Sequence, residues 1–93
     1  MMKKVLEQLK EYQSDIYNRE HAEGAYRLLS SNLNSFGLED PSTKIELDMY
    51  LGRLKNAIHV EPIDEFALLF SELLLKIILL LKKNAVISWK RVL

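Results

Sequence analysis

Residues 62–83 read PIDEFALLFSELLLKIILLLKK, a strongly apolar stretch. On a helix of about 3.6 residues per turn, four of its charged positions fall on one narrow stripe. They are separated by seven, four and seven positions and are Glu65, Glu72, Lys76 and Lys83. The other side chains of residues 66–81 are apolar except Ser71, so other helices or a partner must cover most of the circumference. We therefore predict that this stretch is the central helix of a helical protein.

A transmembrane helix is the alternative interpretation of the same stretch. A spanning helix needs about 20 predominantly apolar residues, and the uninterrupted apolar run here is shorter. Glu72 and Lys76 lie in its middle, where each charge would cost about 2.5–3.5 kcal/mol at the centre of a bilayer. The pattern therefore favours the core helix of a water-soluble protein.

The composition indicates one small globular domain. The chain has 93 residues, of which 48% are hydrophobic and 28% charged, values typical of a folded domain with a single core. It has no cysteine, which excludes disulfides, thiolate metal sites and cysteine nucleophiles. Charges interrupt the sequence that follows Met1, so it offers no apolar core for a signal peptide. We expect a cytoplasmic protein.

The charges cancel over the chain but are unevenly distributed. Thirteen basic and thirteen acidic residues give a net charge of zero, which argues against a general nucleic-acid binder. Residues 1–75 hold eight basic residues and all thirteen acidic ones, whereas residues 76–93 hold five basic residues and no acidic one. The C-terminal end is therefore a separate, cationic region.

Two amphipathic helices are predicted before the middle of the chain. The first, from about Lys3 to Tyr17, has an apolar face at helical spacing, formed by Val5, Leu6, Leu9, Tyr12, Ile16 and Tyr17. The second begins after Asn18 as N-cap and carries Ala22, Ala25, Tyr26, Leu29, Leu33 and Phe36 on its apolar face. Gly37 then occupies the position where a left-handed residue ends a helix. Gly24 lies inside the second helix, either to allow a close helix crossing or as a tolerated irregularity.

The third helix begins near Asp40 and Pro41, which suit the N-cap and first helical positions. A capping box from Thr43 to Glu46 leaves a later start open. The predicted buried stripe comprises Ile45, Leu47, Tyr50, Leu51, Leu54, Ala57 and Ile58. Pro62 is expected at the first position of the fourth helix, because proline disfavours helical geometry at the preceding residue.

These elements predict an all-α fold. Four helices with short connections are most simply arranged as an antiparallel up-down bundle. We assign residues 1–83 to the bundle and residues 84–93 to a short C-terminal tail. The β-branched residues of the tail continue the helical pattern poorly, so we expect an extended or loosely helical segment that packs back in part through Trp89.

Catalytic and metal-binding patterns are missing from the sequence. His21 and His59 are 38 positions apart, and neither belongs to a paired motif that would direct two ligands from one helix. The glycines are isolated, which excludes a phosphate-binding loop, and there is no nucleophile elbow. The acidic cluster at 61–65 suits the positive end of the fourth-helix dipole. We predict a protein that is not an enzyme and has no catalytic residues, cofactor or metal.

The cationic C-terminal end is the candidate binding region. Its residues are Lys82, Lys83, Trp89, Lys90 and Arg91. An amphipathic aromatic side chain among cations suits an anionic membrane leaflet or an acidic protein surface. The alternative is a tail that only packs on the bundle.

The order of these features resembles the immunity proteins of class IIa, pediocin-like bacteriocins. The resemblance rests on the chain length, the four helices, the entry to the third helix in GLEDPSTKIELDMYLGRLKNA, the apolar fourth helix and the short tail. It implies a cytoplasmic four-helix antiparallel bundle that protects a Gram-positive producer from its own pore-forming peptide. The implied partner is the membrane complex of the bacteriocin with its mannose phosphotransferase permease receptor, with peripheral contact at the inner leaflet. The implied region of discrimination runs from the fourth helix through Trp89, Lys90 and Arg91.

A second interpretation follows from the excess of apolar side chains on residues 66–81. A helical interaction or regulatory module would bury part of this surface against a protein partner or in a homodimer. The amino-acid pattern is compatible with both interpretations.

Overall fold

The computed structural model describes residues 2–38 and 40–92, and the side chains of residues 2–38 and 40–84. Within these residues the protein consists of four α-helices and one 3₁₀ turn, with no strand. The helices are α1 (Met2–Tyr12), α2 (Arg19–Ser31), α3 (Pro41–Ala57) and α4 (Ile63–Val92), and the 3₁₀ turn is Leu33–Ser35. Each α-helix packs on its neighbour in the sequence, and α1 also packs on α4. The predicted all-α fold with four packed helices is confirmed.

The core is formed by one face of each helix, and α4 supplies the largest share. Phe66 and Phe70 on α4 are fully buried, and their rings stack with centroids 5.6 Å apart. The remaining fully buried large side chains come from all four helices and are Leu9, Leu29, Leu47, Leu54, Leu74, Ile77 and Leu81. Burial of a leucine or phenylalanine side chain stabilises the fold by about 1.5–3 kcal/mol, and α4 contributes more of these buried side chains than any other helix.

Two predicted N-caps are confirmed. The side chain of Asn18 accepts a hydrogen bond from the backbone N–H of Glu20 over 2.9 Å, and Asp40 accepts one from the backbone N–H of Ser42 over 3.1 Å. Pro41 is the first residue of α3, as the sequence predicted. Each cap satisfies a helix-terminal donor that has no intrahelical partner.

The ends of α1 and α2 differ from the prediction. α1 ends at Tyr12, five positions before the predicted end, and Tyr17 is 56% exposed. α2 ends at Ser31, and the 3₁₀ turn separates it from Gly37. Gly37 has a φ of 63°, so its left-handed conformation is confirmed, although it follows the 3₁₀ turn rather than the α-helix itself.

Two details of α3 and α4 also correct the prediction. Ile45 was expected in the buried stripe, but it is 69% exposed, because α2 and α4 pack on the faces that carry Leu47 and Leu54. Pro62 precedes α4 and its carbonyl accepts the N–H of Phe66 over 3.2 Å. It therefore occupies the N-cap rather than the first helical position.

The fourth helix is longer than the sequence predicted. Its backbone remains α-helical to Val92, in place of the extended or loosely helical segment expected from Asn84 onward. Asn84 itself is buried, and its side-chain amide donates a hydrogen bond to the carbonyl of Phe36 over 3.3 Å. Among the described residues, no helix has both the length and the apolar character needed to cross a membrane.

Candidate interaction surface on α4

Three leucines of α4 form an exposed stripe. Leu68, Leu75 and Leu79 are 71%, 51% and 56% exposed. They are spaced by seven and four positions, and so lie within about 40° of one another on the helix. We call these three residues the leucine stripe. Single exposed leucines are common on protein surfaces, but an aligned set on one helix face is typical of an interaction site.

Charged side chains of opposite sign bracket the leucine stripe. Asp64 and Glu65 are exposed in the first turn of α4, and Lys82 and Lys83 are exposed beyond the last leucine. Asp64 is eighteen positions before Lys82, as Glu65 is before Lys83. Eighteen residues make five whole turns, about 27 Å. Each acid therefore shares a side of the stripe with one lysine.

An ion pair lies beside the middle of the stripe. Lys76 Nζ is 2.9 Å from Glu72 Oε1, and the two side chains are 45% and 58% exposed. An exposed pair at this spacing contributes about 0.3–0.5 kcal/mol to a helix. Its role at the surface is to neutralise the two charges nearest the centre of the stripe.

A groove between α3 and α4 runs along one side of the stripe. One part of the groove has a volume of about 280 Å³ and is lined by Arg53, Asn56, Ala57, Val60, Leu69, Glu72, Leu73 and Lys76. The next part has a volume of about 260 Å³ and is lined by Glu46, Tyr50, Lys76, Leu79, Leu80 and Lys83. Lys76 and Leu79 belong to both the helix face and the groove, so the stripe and the groove form one surface.

The polar end of the groove contains a tyrosine whose acidity is altered. The hydroxyl of Tyr50 donates a hydrogen bond to Glu46 Oε1 over 3.1 Å. This hydrogen bond raises the pKa of Tyr50 above its ordinary value of 10, because an ionised tyrosine would lose the bond and face a carboxylate. Tyr50 is therefore a neutral donor at physiological pH.

The two histidines lie on different segments, one in α2 and one after α3. His21 Nδ1 donates to the carbonyl of Tyr12 over 3.2 Å, and its ring is 5.3 Å from the Tyr12 ring. His59 is exposed near the end of α3. Within the described part of the chain, no three histidine, aspartate or glutamate side chains are grouped as a metal site would require.

The residues predicted as a binding region are described only in part. Lys82 and Lys83 are exposed at the end of the leucine stripe, and Lys83 also lines the groove. The backbone of Trp89, Lys90 and Arg91 belongs to α4, but their side chains lie outside the described residues. The prediction that these five residues bind a partner stays a prediction.

The leucine stripe is a feature that the sequence indicated only in outline. The apolar excess of α4 showed that some leucines must face a partner or solvent, but residues 66–81 contain leucine on nearly every side of the helix. The pattern could not identify the three of the stripe among the leucines that the neighbouring helices leave exposed, which also include Leu69. No protein-family model, curated protein or solved structure matches this chain.

Proposed function

We propose that this protein is a bacteriocin immunity protein that is not an enzyme. In this proposal it acts in the cytoplasm of a Gram-positive producer, as an antiparallel up-down bundle. It holds the complex of a pediocin-like peptide with its mannose phosphotransferase permease receptor from the inner side of the membrane. The observation that carries the proposal is the exposed leucine stripe of α4, which leads to Lys82 and Lys83.

The chemistry of α4 supports this proposal in two ways. An apolar helix face can bind in a hydrophobic groove of a protein partner. Basic residues next to it gain about 1 kcal/mol each near an anionic inner leaflet. Lys82 and Lys83 lie beyond one end of the stripe, and Asp64 and Glu65 lie before the other, so attraction to the leaflet would bring the C-terminal end of α4 closest to the membrane.

The length of α4 also supports a role for its C-terminal end. α4 has 30 residues, whereas α1, α2 and α3 have 11, 13 and 17. At about 1.5 Å per residue, α4 is roughly 20 Å longer than α3. The backbone after Asn84 continues the same α-helix, so Trp89, Lys90 and Arg91 would follow the leucine stripe on one continuous helix.

The experiment that tests the proposal is survival of a sensitive lactic-acid bacterium that expresses the chain, challenged with a panel of pediocin-like peptides. We expect selective protection against one or a few peptides. A truncation after Asn84 should abolish protection while the helical content of the bundle is retained. The cut must follow Asn84, because removal of Asn84 would also remove its hydrogen bond to Phe36.

A charge-reversed variant tests whether protection depends on the basic residues at the end of the stripe rather than on the fold. We expect Lys82→Glu with Lys83→Glu to lower protection, whereas Lys3→Glu with Lys4→Glu on the exposed side of α1 should leave it unchanged. Lack of protection across the whole panel, with expression confirmed by immunoblot, would contradict the immunity proposal.

The second candidate is a helical interaction module that uses the leucine stripe to bind another protein. The observation that favours it is the same set of exposed leucines, considered without the basic end. Leu75→Ser tests it, because loss of partner binding with unchanged stability would assign the function to the stripe alone.

A further inference from the structure

The charges around the leucine stripe are arranged so that the surface is complementary to itself. Asp64 and Glu65 lie before the stripe, and Lys82 and Lys83 lie after it, all of them exposed. A second α4 that runs in the opposite direction would bring the lysines of one copy to the acids of the other. A second α4 that runs in the same direction would place acid against acid and lysine against lysine, which is unfavourable.

The antiparallel arrangement also aligns the two outer leucines of the stripe in the same register. If Leu68 lies opposite Leu79 of the second copy, the centre of the pairing falls midway between Leu73 and Leu74. The pairs Asp64 with Lys82, and Glu65 with Lys83, have their centres within half a residue of that point. One two-fold axis therefore matches the apolar and the charged residues together.

The acidic and basic residues also match in the side of the helix on which they lie, as well as in their position along it. Asp64 and Lys82 are five whole turns apart and lie on one side of the stripe, whereas Glu65 and Lys83 lie on the other. In an antiparallel pair related by a two-fold axis, each side of one helix meets the same side of its partner. Glu72 near the centre already has Lys76 as its ion-pair partner at 2.9 Å, so no unpaired charge lies at the axis.

We propose that the exposed face of α4 binds a second copy of this chain, with the two α4 helices antiparallel and Leu68 of each opposite Leu79 of the other. The inference rests on the interaction-module candidate for the leucine stripe and does not depend on bacteriocin immunity. The paired segment spans residues 64–83 and includes the leucine stripe, Lys82 and Lys83, which the immunity proposal also uses, whereas the backbone of 84–92 lies outside it.

The first test is the association state of the purified full-length chain, measured by sedimentation equilibrium over a wide concentration range. We expect a reversible dimer. Leu75→Ser should weaken dimerisation by at least about tenfold, because it places a hydroxyl at the centre of the apolar contact. Ile45→Ser is the control, since Ile45 is an apolar residue of α3 that is 69% exposed, against 51% for Leu75, and it should leave the dimer unchanged.

Charge reversal tests the direction of pairing. The variant Asp64→Lys with Glu65→Lys makes both ends of the stripe basic, and the variant Lys82→Glu with Lys83→Glu makes both ends acidic. Each variant alone should have a dimer dissociation constant at least about tenfold higher than that of the wild type. An equimolar mixture of the two variants should form a heterodimer. A parallel pair would already contain like charges at both ends, so reversal at one end would not weaken it.

Crosslinking tests the register without relying on charge alone. The chain has no cysteine, so Asp64→Cys and Lys82→Cys each introduce a single thiol. A short bismaleimide should link an Asp64→Cys chain to a Lys82→Cys chain and should not link two Asp64→Cys chains, whose thiols would be about 27 Å apart. Addition of Leu75→Ser to both chains should abolish the crosslink.

The proposal is overturned by any of three results. The first is a monomer at every concentration, with circular dichroism showing a folded chain. The second is a dimer that Leu75→Ser leaves unchanged, and the third is a dimer that crosslinks Asp64→Cys to itself. None of these measurements involves a bacteriocin. The dimer proposal can therefore be contradicted while the survival experiment supports immunity, and immunity can be contradicted while the dimer is observed.

Discussion

The side-chain amide of Asn84 donates a hydrogen bond to the backbone carbonyl of Phe36 over 3.3 Å, across 48 positions of sequence. This contact links α4 to the segment between α2 and α3. Phe36 is itself buried, at 6% exposure, so its carbonyl has little access to water. A buried carbonyl without a partner costs about 1–3 kcal/mol, and Asn84 removes that cost.

We expect Asn84→Leu to lower the free energy of unfolding by about 1–2 kcal/mol. Leucine keeps a side chain of similar size and favours the helix more than asparagine does, but it leaves the Phe36 carbonyl unpaired. Urea unfolding followed by circular dichroism measures the change. Asn56→Leu, at an exposed position of α3, is the control and should change stability by much less. Equal stability of the two variants would contradict a role for the Asn84 contact.

Arg19, at the start of α2, contacts the residue that follows α3 and an aromatic ring of α4, and it should be important for stability. Its guanidinium donates to the carbonyl of Ile58 over 2.6 Å and lies 4.7 Å from the centre of the Phe66 ring. We expect Arg19→Met to lower the free energy of unfolding by about 2–3 kcal/mol, from the lost charged hydrogen bond and cation–π contact.

The control for Arg19 is Arg27→Met, because Arg27 is an exposed arginine of the same helix. Arg19→Lys should be intermediate, since an ammonium retains the charge but cannot make a planar contact with the ring and donate in the same geometry. Thermal and urea unfolding of the three variants would test the order. An Arg27 variant as unstable as the Arg19 variant would show that only general charge matters.

Gly24 should be replaceable only when Tyr12 is smaller. A Cβ atom at Gly24 would lie 2.6 Å from the Tyr12 hydroxyl oxygen and 2.8 Å from the carbon that bears it. This close approach supports the interpretation of Gly24 as a packing residue. We expect Gly24→Ala to destabilise the protein by about 1 kcal/mol, because the gain in helix propensity of about 0.5–1 kcal/mol is smaller than the cost of moving the ring.

A double-mutant cycle with Tyr12→Leu isolates this contact. In the Tyr12→Leu background, Gly24→Ala should stabilise the protein by about 0.5–1 kcal/mol, since only the propensity gain remains. Unfolding free energies of the four proteins give the coupling. The same effect of Gly24→Ala in both backgrounds would show that Tyr12 does not limit the position.

Tyr50 should make the protein less stable at alkaline pH. The hydrogen bond to Glu46 raises the pKa of Tyr50 above 10 in the folded state. The unfolded chain therefore releases this proton first as the pH rises above about 10. The folded state then holds more protons, so the free energy of unfolding falls until the pH passes the folded pKa. Below pH 10 the contribution is fully present.

The measurement is the pH titration of tyrosinate absorbance. The difference between the titrations of the wild type and of Tyr50→Phe gives the contribution of Tyr50. Glu46→Gln should bring the pKa of Tyr50 closer to 10, because the carboxylate is removed while an acceptor oxygen remains. Asp48→Gln alters a neighbouring exposed acid of α3 and should leave the titration unchanged. A Tyr50 titration that Glu46→Gln does not shift would contradict the assignment.

The helix starts were predictable because they depend on local chemistry. Asn18 and Asp40 cap their helices by accepting hydrogen bonds from backbone N–H groups two positions away. Such contacts depend only on neighbouring residues, so the sequence indicates them. The helix ends were harder to predict. α1 stops at Tyr12 although Ile16 continues the apolar spacing, and α4 continues past Lys83 although β-branched residues follow. A helix end depends on the neighbouring elements as well as on propensity.

The sequence predicted that α4 has an uncovered apolar face and a cationic end, but not which residues form that face. The excess of leucine on α4 required an uncovered or partner-bound face, and the cationic end was visible from the charges alone. Ile45 and Leu47 are both apolar positions of α3, but one is 69% exposed and the other fully buried. Periodicity cannot resolve such cases when apolar residues lie on more than one side of a helix.

The sequence by itself determined that the described residues form four α-helices, where two of them begin, and that α4 is the most apolar of the four. These properties follow from backbone capping and from the spacing of apolar side chains, which act within a few residues. Only the tertiary structure decided that Leu68, Leu75 and Leu79 remain exposed, that Arg19 contacts Phe66, and that Asn84 pairs with Phe36. The reason is that burial depends on which helices lie against which faces, and residues far apart in the sequence set that arrangement.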